Sequence, residues 1–214
     1  MKIITLGPIN LFPAYGLLCC LFSLLAGCAT LTDKTTAVST VVIEPAAIGI
    51  AASANFRVAG RVSVRDSKQS FSGGVRWNHT DVGDEILLLS PLGQTVAQIQ
   101  RNPEGVQLTT SEQKISRAAD VENLTEQVLG WRLPLMGLQY WVRGDHSPAT
   151  SAVVDKDGEG RVIAIRQDGW EITYSSFFPL EPAYLTQATR PRVLALQRGE
   201  LEIRLVVDNW EESK

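Results

Sequence analysis

Cysteine is nearly absent from the sequence and does not occur at all after residue 28. The three cysteines of the 214-residue chain are Cys19, Cys20 and Cys28. The remainder of the chain therefore contains no disulfide, no thiol nucleophile and no cysteine ligand for a metal ion.

Catalytic patterns are also missing, so we expect a protein that is not an enzyme. The sequence has no Gly-x-Ser-x-Gly motif and no phosphate-binding loop. Its two histidines, His79 and His146, fall in turn-like segments without nearby metal ligands, and we expect both to be surface residues without a role. The acidic residues Asp155, Asp157 and Glu159 could form a calcium loop. The later bidentate glutamate of such a loop is absent, however, and the Gly and Asp content favours a polar hairpin turn.

The chain has no excess of positive charge. Its formal net charge is -3, and removal of the N-terminal segment that contains Lys2 changes it to -3 - 1 = -4. Nucleic-acid-binding proteins carry a basic footprint, which is missing here, so we expect no nucleic-acid partner. The net negative charge also predicts no electrostatic attraction to anionic lipid.

The N-terminus has the features of an export signal. Lys2 precedes an apolar stretch over residues 11–25, and small residues then lead to Cys28. Proline and glycine interrupt the apolar run, whereas a helix that stays in the membrane needs roughly 20 clean apolar residues. We therefore expect residues 1–27 to be a signal peptide.

The segment 25–28 (LAGC) resembles the lipobox of bacterial lipoproteins. The resemblance implies a covalent lipid on Cys28, and no other cofactor is expected. Several acyl chains anchor a protein stably. In bacterial lipoproteins an aspartate after the lipidated cysteine implies retention in the inner membrane, so the resemblance, with Ala29 at this position, implies the outer membrane, with the chain facing the periplasm. Residues 28–54 are rich in Ala, Thr, Ser and Val without clear periodicity, which predicts a tether, in part helical, ahead of a domain at 55–214.

From Asn55 onward, apolar and polar residues alternate with the period of β-strands. In the first strand Phe56 and Val58 fall on one face, and Arg57 and Arg61 fall on the other. Further strands are predicted at 71–77, 86–89, 95–99, 106–108, 161–167, 170–176, 192–197 and 201–207.

Two helices are predicted between the two groups of strands. Asp120 can cap a helix that ends at Gly130, and Pro134 can start a second one that Gly144 stops. Consecutive hairpins give antiparallel pairing, and two short helices offer too little area to cover the whole sheet. We therefore expect a mainly β domain, a single antiparallel and incompletely closed half-barrel with the helices as a lid over an apolar cavity.

The large aromatic side chains allow two interpretations. Residues of this size usually belong to a packed core, but they can also form the wall of an acyl-binding hollow, the default kind of site in a chain without polar chemistry. The candidates for such a wall are Trp77, Trp141, Trp170, Tyr174 and Trp210.

Several segments together resemble the outer-membrane lipoprotein receptor family LolB. They are 89–95 (LSPLGQT), 133–135 (LPL), 138–144 (LQYWVRG), 170–174 (WEITY) and 207–210 (VDNW). The resemblance rests on their order and spacing, and with the lipobox they extend from Cys28 to Trp210.

The resemblance implies a half-barrel that accepts the acyl chains of lipoproteins from the periplasmic carrier LolA. The cargo is then inserted into the inner leaflet of the outer membrane without ATP, and we expect a monomer. The family carries an exposed leucine that is needed for insertion, in the turn where this sequence has Leu92. From the residues alone, a leucine between Pro91 and Gly93 could equally be an ordinary packed or surface residue.

Two other functions remain open at this stage. The chain could be a structural or assembly lipoprotein that binds a protein partner through its sheet. It could also be an exported hydrolase of lipid or glycan, although no nucleophile and base are paired in the sequence.

Overall fold

The computed structural model of the protein describes residues 36–45, 55–179 and 190–212. The predicted signal peptide, the lipidation residue Cys28 and residues 29–35 and 46–54 of the predicted tether lie outside these ranges. Within the described ranges, no helix has both the length and the apolar character needed to cross a membrane.

The described residues form twelve strands and two helices. The strands are β1 (Ser39–Ile43), β2 (Phe56–Arg65), β3 (Ser70–Thr80), β4 (Gly83–Leu89), β5 (Thr95–Asn102), β6 (Gly105–Thr110), β7 (Ile115–Ala118), β8 (Ala152–Lys156), β9 (Val162–Gln167), β10 (Trp170–Phe177), β11 (Pro191–Arg198) and β12 (Leu201–Glu212). The helices are α1 (Val121–Leu129) and α2 (Leu135–Trp141).

All twelve strands belong to one antiparallel sheet with the order β1-β8-β9-β10-β11-β12-β2-β3-β4-β5-β6-β7. Two meanders, β2 to β7 and β8 to β12, are joined where β12 pairs with β2. The edge strands β1 and β7 have no register with each other in the described part of the chain. The sheet is therefore not closed, which confirms the prediction of an incomplete antiparallel barrel.

The alternation in the sequence decides which face of the sheet is apolar. In β2 the side chains of Phe56, Val58 and Val64 are buried, while those of Arg57 and Arg61 are exposed. The buried faces of the strands and of both helices form one hydrophobic cluster. Burial of this shared face is what couples the helices to the sheet.

Glycines allow the central strands to approach each other closely. A Cβ atom at Gly60 would lie 2.1 Å from the carbonyl oxygen of Val206, and one at Gly73 would lie 1.9 Å from that of Leu89. Any other residue would push the backbones apart, so these glycines permit the tight coiling of β2 and β3.

The residues at the ends of the two helices predicted their positions correctly. The Asp120 carboxylate accepts a hydrogen bond from the Asn123 backbone N–H at 2.7 Å, and Gly130 ends α1 in the left-handed conformation. Pro134 precedes α2, and Gly144 has a φ of 79° shortly after it. Gly137 is required inside α2 because a Cβ there would lie 2.4 Å from the ring of Trp141.

Three strands were not predicted. Part of the predicted tether forms β1, which pairs with β8, so residues 39–43 are neither helical nor a free linker. The short strand β7 and the whole of β8 were also missed. A backbone ladder between distant segments stabilises β1, and such a ladder leaves no periodicity in the sequence.

Candidate acyl-binding face and membrane-contact turn

The first group of predicted aromatic residues lies where α2 meets β9 and β10. Trp141 and Trp170 are fully buried, with ring centroids 6.4 Å apart. The Tyr174 hydroxyl donates a hydrogen bond to the Trp141 carbonyl oxygen at 2.7 Å. Burial raises the pKa of the Tyr174 hydroxyl well above its usual value, with a further contribution from Asp145. The phenol therefore stays neutral and serves as a donor that holds the end of α2.

Gln167 is a buried polar residue at the centre of this group. Its side-chain oxygen accepts hydrogen bonds from the Trp141 Nε1 and from the Ser147 backbone N–H, both at 2.9 Å. Its side-chain nitrogen donates to the carbonyl oxygens of Ser147 and Thr150. Sequence reasoning missed Gln167, although it follows Ile163 and Ile165 at the spacing of inward-facing strand positions.

The second aromatic group is formed by β2, β3 and the end of β12. The ring of Phe56 stacks on Trp210 at 4.9 Å and meets the edge of Trp77 at 4.9 Å. Trp77 is buried and Trp210 is half-buried. The Trp210 Nε1 is one of two buried side-chain atoms in the described ranges that make no hydrogen bond.

A buried ionic cluster adjoins this second group and corrects the prediction for His79. His79 lies in β3, is 1% exposed and has its Nδ1 2.6 Å from the Asp84 Oδ1, so it is not a surface turn residue. Asp84 also accepts hydrogen bonds from Trp77 at 2.8 Å and from Arg101 at 2.6 Å. Burial alone would raise the pKa of Asp84, but these hydrogen bonds outweigh it and hold the pKa below its usual value.

The remaining polar candidates have structural roles in the strands and turns. Asp157 accepts hydrogen bonds from the backbone N–H groups of Glu159 and Arg161, which confirms the polar hairpin turn between β8 and β9. Asp155 forms a bidentate ion pair with Arg166. His146 lies in the loop after α2, next to Asp145. No group of potential metal ligands occurs among the described residues.

An apolar cleft opens between the end of α1 and the sheet. Its volume is about 270 Å³. It is lined by Val64, Gln69, Ser70, Phe71, Leu88, Val96, Val128, Leu129 and Trp131. Two of these residues, Phe71 and Trp131, are aromatic, and none of the lining residues was among the candidates that the sequence gave for the wall.

The turn between β4 and β5 holds Leu92 away from the rest of the protein. The Gly93 N–H donates to the Ser90 carbonyl oxygen, and the Ser90 N–H donates to that of Gln94, both at 2.8 Å. Gly93 has a φ of 80°, a conformation that favours glycine. The side chain of Leu92 is 87% exposed, the highest value among the large apolar side chains that the structure describes.

Leu92 and the apolar cleft lie at the same end of the strands. The cleft is lined by Val64 at the end of β2, Phe71 at the start of β3, Leu88 at the end of β4 and Val96 at the start of β5. These positions flank the β2–β3 turn and the β4–β5 turn that carries Leu92. The cleft and the Leu92 turn therefore lie at one end of the sheet.

Fold and site together define a class: a half-open antiparallel barrel that buries an apolar face under two short helices. Residues 54–210 match the family described as Outer membrane lipoprotein LolB. The chain belongs to this LolB family, and it is an outer-membrane lipoprotein as the lipobox and Ala29 predicted.

Several relatives support the assignment along most of the chain. Outer-membrane lipoprotein LolB of Nitrosomonas europaea is 46% identical over 188 residues, which are 87% of this chain and 87% of the relative. That of Thiobacillus denitrificans is 39% identical and covers 87% of this chain and 91% of the relative. That of an Azoarcus species is 34% identical, with 92% and 94% covered.

Proposed function

We propose that this protein accepts lipoproteins from a LolA-like periplasmic carrier and inserts them into the inner leaflet of the outer membrane. It acts as a monomer that binds acyl chains on the apolar face of the half-barrel, and not as an enzyme. In this proposal Cys28 carries a covalent lipid, and the lipid holds the domain at the membrane.

The exposure of Leu92 at the apex of its turn is the observation that carries this proposal. A leucine in that position loses its contact with water only when an apolar phase reaches it. Its full burial contributes about 2 kcal/mol, which is too little to hold the domain on a bilayer but enough to orient it. Leu92 thus orients the domain so that the end of the strands that carries the apolar cleft faces the lipid.

The apolar face offers the burial that an acyl chain requires. Each buried methylene contributes about 0.8 kcal/mol, so a long chain needs on the order of 10 kcal/mol of compensating burial before it leaves a membrane. Trp141, Trp170 and Tyr174 already contact one another at α2, and Trp77 and Trp210 both pack against Phe56. Acyl chains therefore enter this face only if α1 or α2 moves outward, and the cleft beside α1 is the place where such movement begins.

The direction of transfer follows from relative affinities. Without a fuel molecule, cargo moves onward only if each acceptor binds the chains more favourably than the previous donor. The protein must therefore bind acyl chains better than the carrier does and less well than the bilayer does. Leu92 assists the second of these steps because it brings the cleft and the bilayer together.

The experiment compares two turn variants of the mature, lipidated protein. Leu92→Glu changes the exposed leucine of the β4–β5 turn, and the matched control Val82→Glu changes a 65% exposed valine in the β3–β4 turn at the opposite end of the strands. A carrier–lipoprotein complex is added, and cargo bound to the protein is measured separately from cargo inserted into vesicles. Leu92→Glu should accept cargo normally and insert it at least about tenfold more slowly, as expected for the loss of about 2 kcal/mol.

The control should accept and insert cargo like the unaltered protein. Equal insertion by Leu92→Glu and Val82→Glu would remove Leu92 from the mechanism. A failure of the unaltered protein to take any cargo from the carrier would contradict the proposed function and favour a lipoprotein that binds a protein partner through its sheet.

A further inference from the structure

Strand β1 extends the sheet beyond residues 54–210, although individual LolB relatives align with up to 92% of the chain. The match covers residues 54–210, whereas β1 is formed by Ser39–Ile43. The strand pairs with β8 over five residues, from Ser39 beside Lys156 to Ile43 beside Ala152. Its other edge has no partner strand in the described ranges.

Few contacts besides the backbone ladder hold β1 in place. Val38, Val41 and Val42 are exposed, and Ile43 is the one residue of the strand that packs partly against the core. One side-chain hydrogen bond crosses to β8, from the Thr40 hydroxyl to Asp155 at 2.7 Å. Segments with little buried apolar surface and exposed hydrogen bonds open at low free-energy cost. Strand β1 is therefore easier to detach than the strands inside the sheet.

The pairing of β1 and the position of Leu92 are at opposite ends of the strands. Ser39, the residue of β1 nearest to Cys28 in the sequence, lies beside Lys156 at the β8–β9 turn. All strands are antiparallel, so the β9–β10, β11–β12, β2–β3 and β4–β5 turns lie at the other end. Leu92 belongs to that other end.

The pairing of β1 limits how far the domain can be from its lipid anchor. Nine residues lie between Cys28 and Val38, so that the ten steps from one Cα atom to the next span at most about 35 Å. A domain of about 160 residues is roughly 40 Å across. If β1 detaches, the 26 residues between Cys28 and Asn55 allow a span of up to about 90 Å. With β1 paired to β8, the short chain to the anchor therefore restricts which end of the domain can face the bilayer. With β1 detached from β8, the longer chain does not.

We propose that β1 is a releasable clasp that controls whether the Leu92 turn can reach the membrane to which the protein is anchored. With β1 paired to β8, the anchor is short and leaves the domain at the end opposite to Leu92. With β1 detached, the longer tether allows the Leu92 end to turn toward the bilayer and deliver cargo. The role of the clasp rests on the proposed function of Leu92, but cargo acceptance does not depend on it.

The test locks the clasp with a disulfide in the full mature lipoprotein. Val42 and Val153 are partners on the outer face of β1 and β8, so Val42→Cys with Val153→Cys leaves the core unchanged. Directly opposed residues of antiparallel strands lie at a distance that suits a disulfide. The control pair is Val193→Cys with Val206→Cys, which joins β11 and β12, two strands that the proposal keeps together.

Delivery of cargo from the carrier into the vesicles that hold the protein is measured with each pair oxidised and reduced. We expect oxidation of the β1–β8 pair to slow delivery at least about tenfold, because a tether that must be almost fully extended to span the domain strongly lowers the effective concentration of the Leu92 end at the bilayer. Oxidation of the β11–β12 pair should change nothing. An insertion of about 20 Gly and Ser residues after residue 35 should restore delivery by the oxidised β1–β8 pair, since it adds more than about 60 Å of reach.

Two results would overturn the clasp: unchanged delivery by the oxidised β1–β8 pair, or no recovery after the insertion. Cargo acceptance is recorded in the same samples and should stay unchanged throughout. If acceptance or the effect of Leu92→Glu is absent even in reduced protein, the proposed function fails, and this outcome differs from failure of the clasp alone.

Discussion

The indole N–H of Trp141, in the last turn of α2, donates a hydrogen bond to the side-chain oxygen of Gln167 in β9 at 2.9 Å. The same oxygen accepts from the backbone of Ser147, so one amide holds both the helix and the loop that follows it. The Tyr174 hydroxyl fixes the carbonyl of Trp141 from β10. The C-terminal end of α2 is therefore attached to the sheet at several points. This end stays in place when the helices move outward.

Replacement of Gln167 by leucine should destabilise the fold by about 1–3 kcal/mol. The substitution leaves the Trp141 and Ser147 donors buried without an acceptor, and the penalty is their loss of hydration. Chemical denaturation should show a lower midpoint with an unchanged slope. Gln197→Leu is the matched control, because Gln197 is exposed on β11 and should have little effect. Equal midpoints for the two variants would contradict the assigned role of Gln167.

Acid should weaken the contribution of Asp84 to stability. The pKa of Asp84 is lowered in the folded protein relative to the unfolded chain, so its contribution is present above the unfolded value of about 3.9 and is lost as the pH falls through the folded value. Asp84→Asn should cost about 2 kcal/mol at neutral pH because it removes the charge of a buried carboxylate that pairs with the half-buried Arg101. The difference in unfolding free energy between this variant and the unaltered protein should shrink below pH 4.

The control for this pH series is Asp81→Asn, a change of an exposed residue in the adjacent β3–β4 turn. Its unfolding free energy should follow that of the unaltered protein at every pH. A cost for Asp84→Asn that is the same at pH 7 and at pH 3 would show that the loss comes from packing and not from the charge of Asp84.

Gly93→Ala should impair delivery to vesicles while its matched control, Gly160→Ala, should not. Both glycines have a φ close to 80° in open hairpin turns with no atom within 4 Å of an added Cβ. Each substitution should therefore cost about 1 kcal/mol of backbone strain. The Gly93 turn presents Leu92, whereas the Gly160 turn lies at the other end of the strands. We expect the two variants to have equal thermal midpoints, and only Gly93→Ala to deliver cargo more slowly than the unaltered protein. Equal delivery by the two variants would contradict this prediction.

A fluorescent fatty-acyl probe should bind the protein saturably and quench its tryptophan emission. Val128→Trp places a larger side chain in the cleft beside α1 and should weaken this binding at least about tenfold if the cleft is the entrance, since overfilling a packed site costs about 1–3 kcal/mol. Val193→Trp adds the same bulk to the outer face of β11 and should leave the affinity unchanged. Absence of saturable binding in the unaltered protein would instead leave the aromatic groups as ordinary core.

Residues close together in the sequence determined the features that could be predicted. Asp168 and Gly169 both adopt positive φ values in the two-residue turn between β9 and β10, as this dipeptide indicates. Asp120 and Gly130 delimit α1 through contacts within one helical turn. The alternation of Phe56 and Val58 with Arg57 likewise determined which face of β2 is buried. Each of these signals acts over a few bonds, so the sequence alone carries it.

Only the tertiary structure decided the features that depend on distant pairing. Thr40 and Asp155 are 115 positions apart in the chain, and their strands pair without any periodic signal in the predicted tether. His79 resembles a turn residue until β4 brings Asp84 beside it and β5 brings Arg101 beside Asp84. The sequence places Leu92 in a turn, but its exposure beside an apolar cleft depends on how α1 covers the sheet. Long-range contacts of this kind are set by the packing of a whole apolar face, and the burial of that face is a property of all strands together.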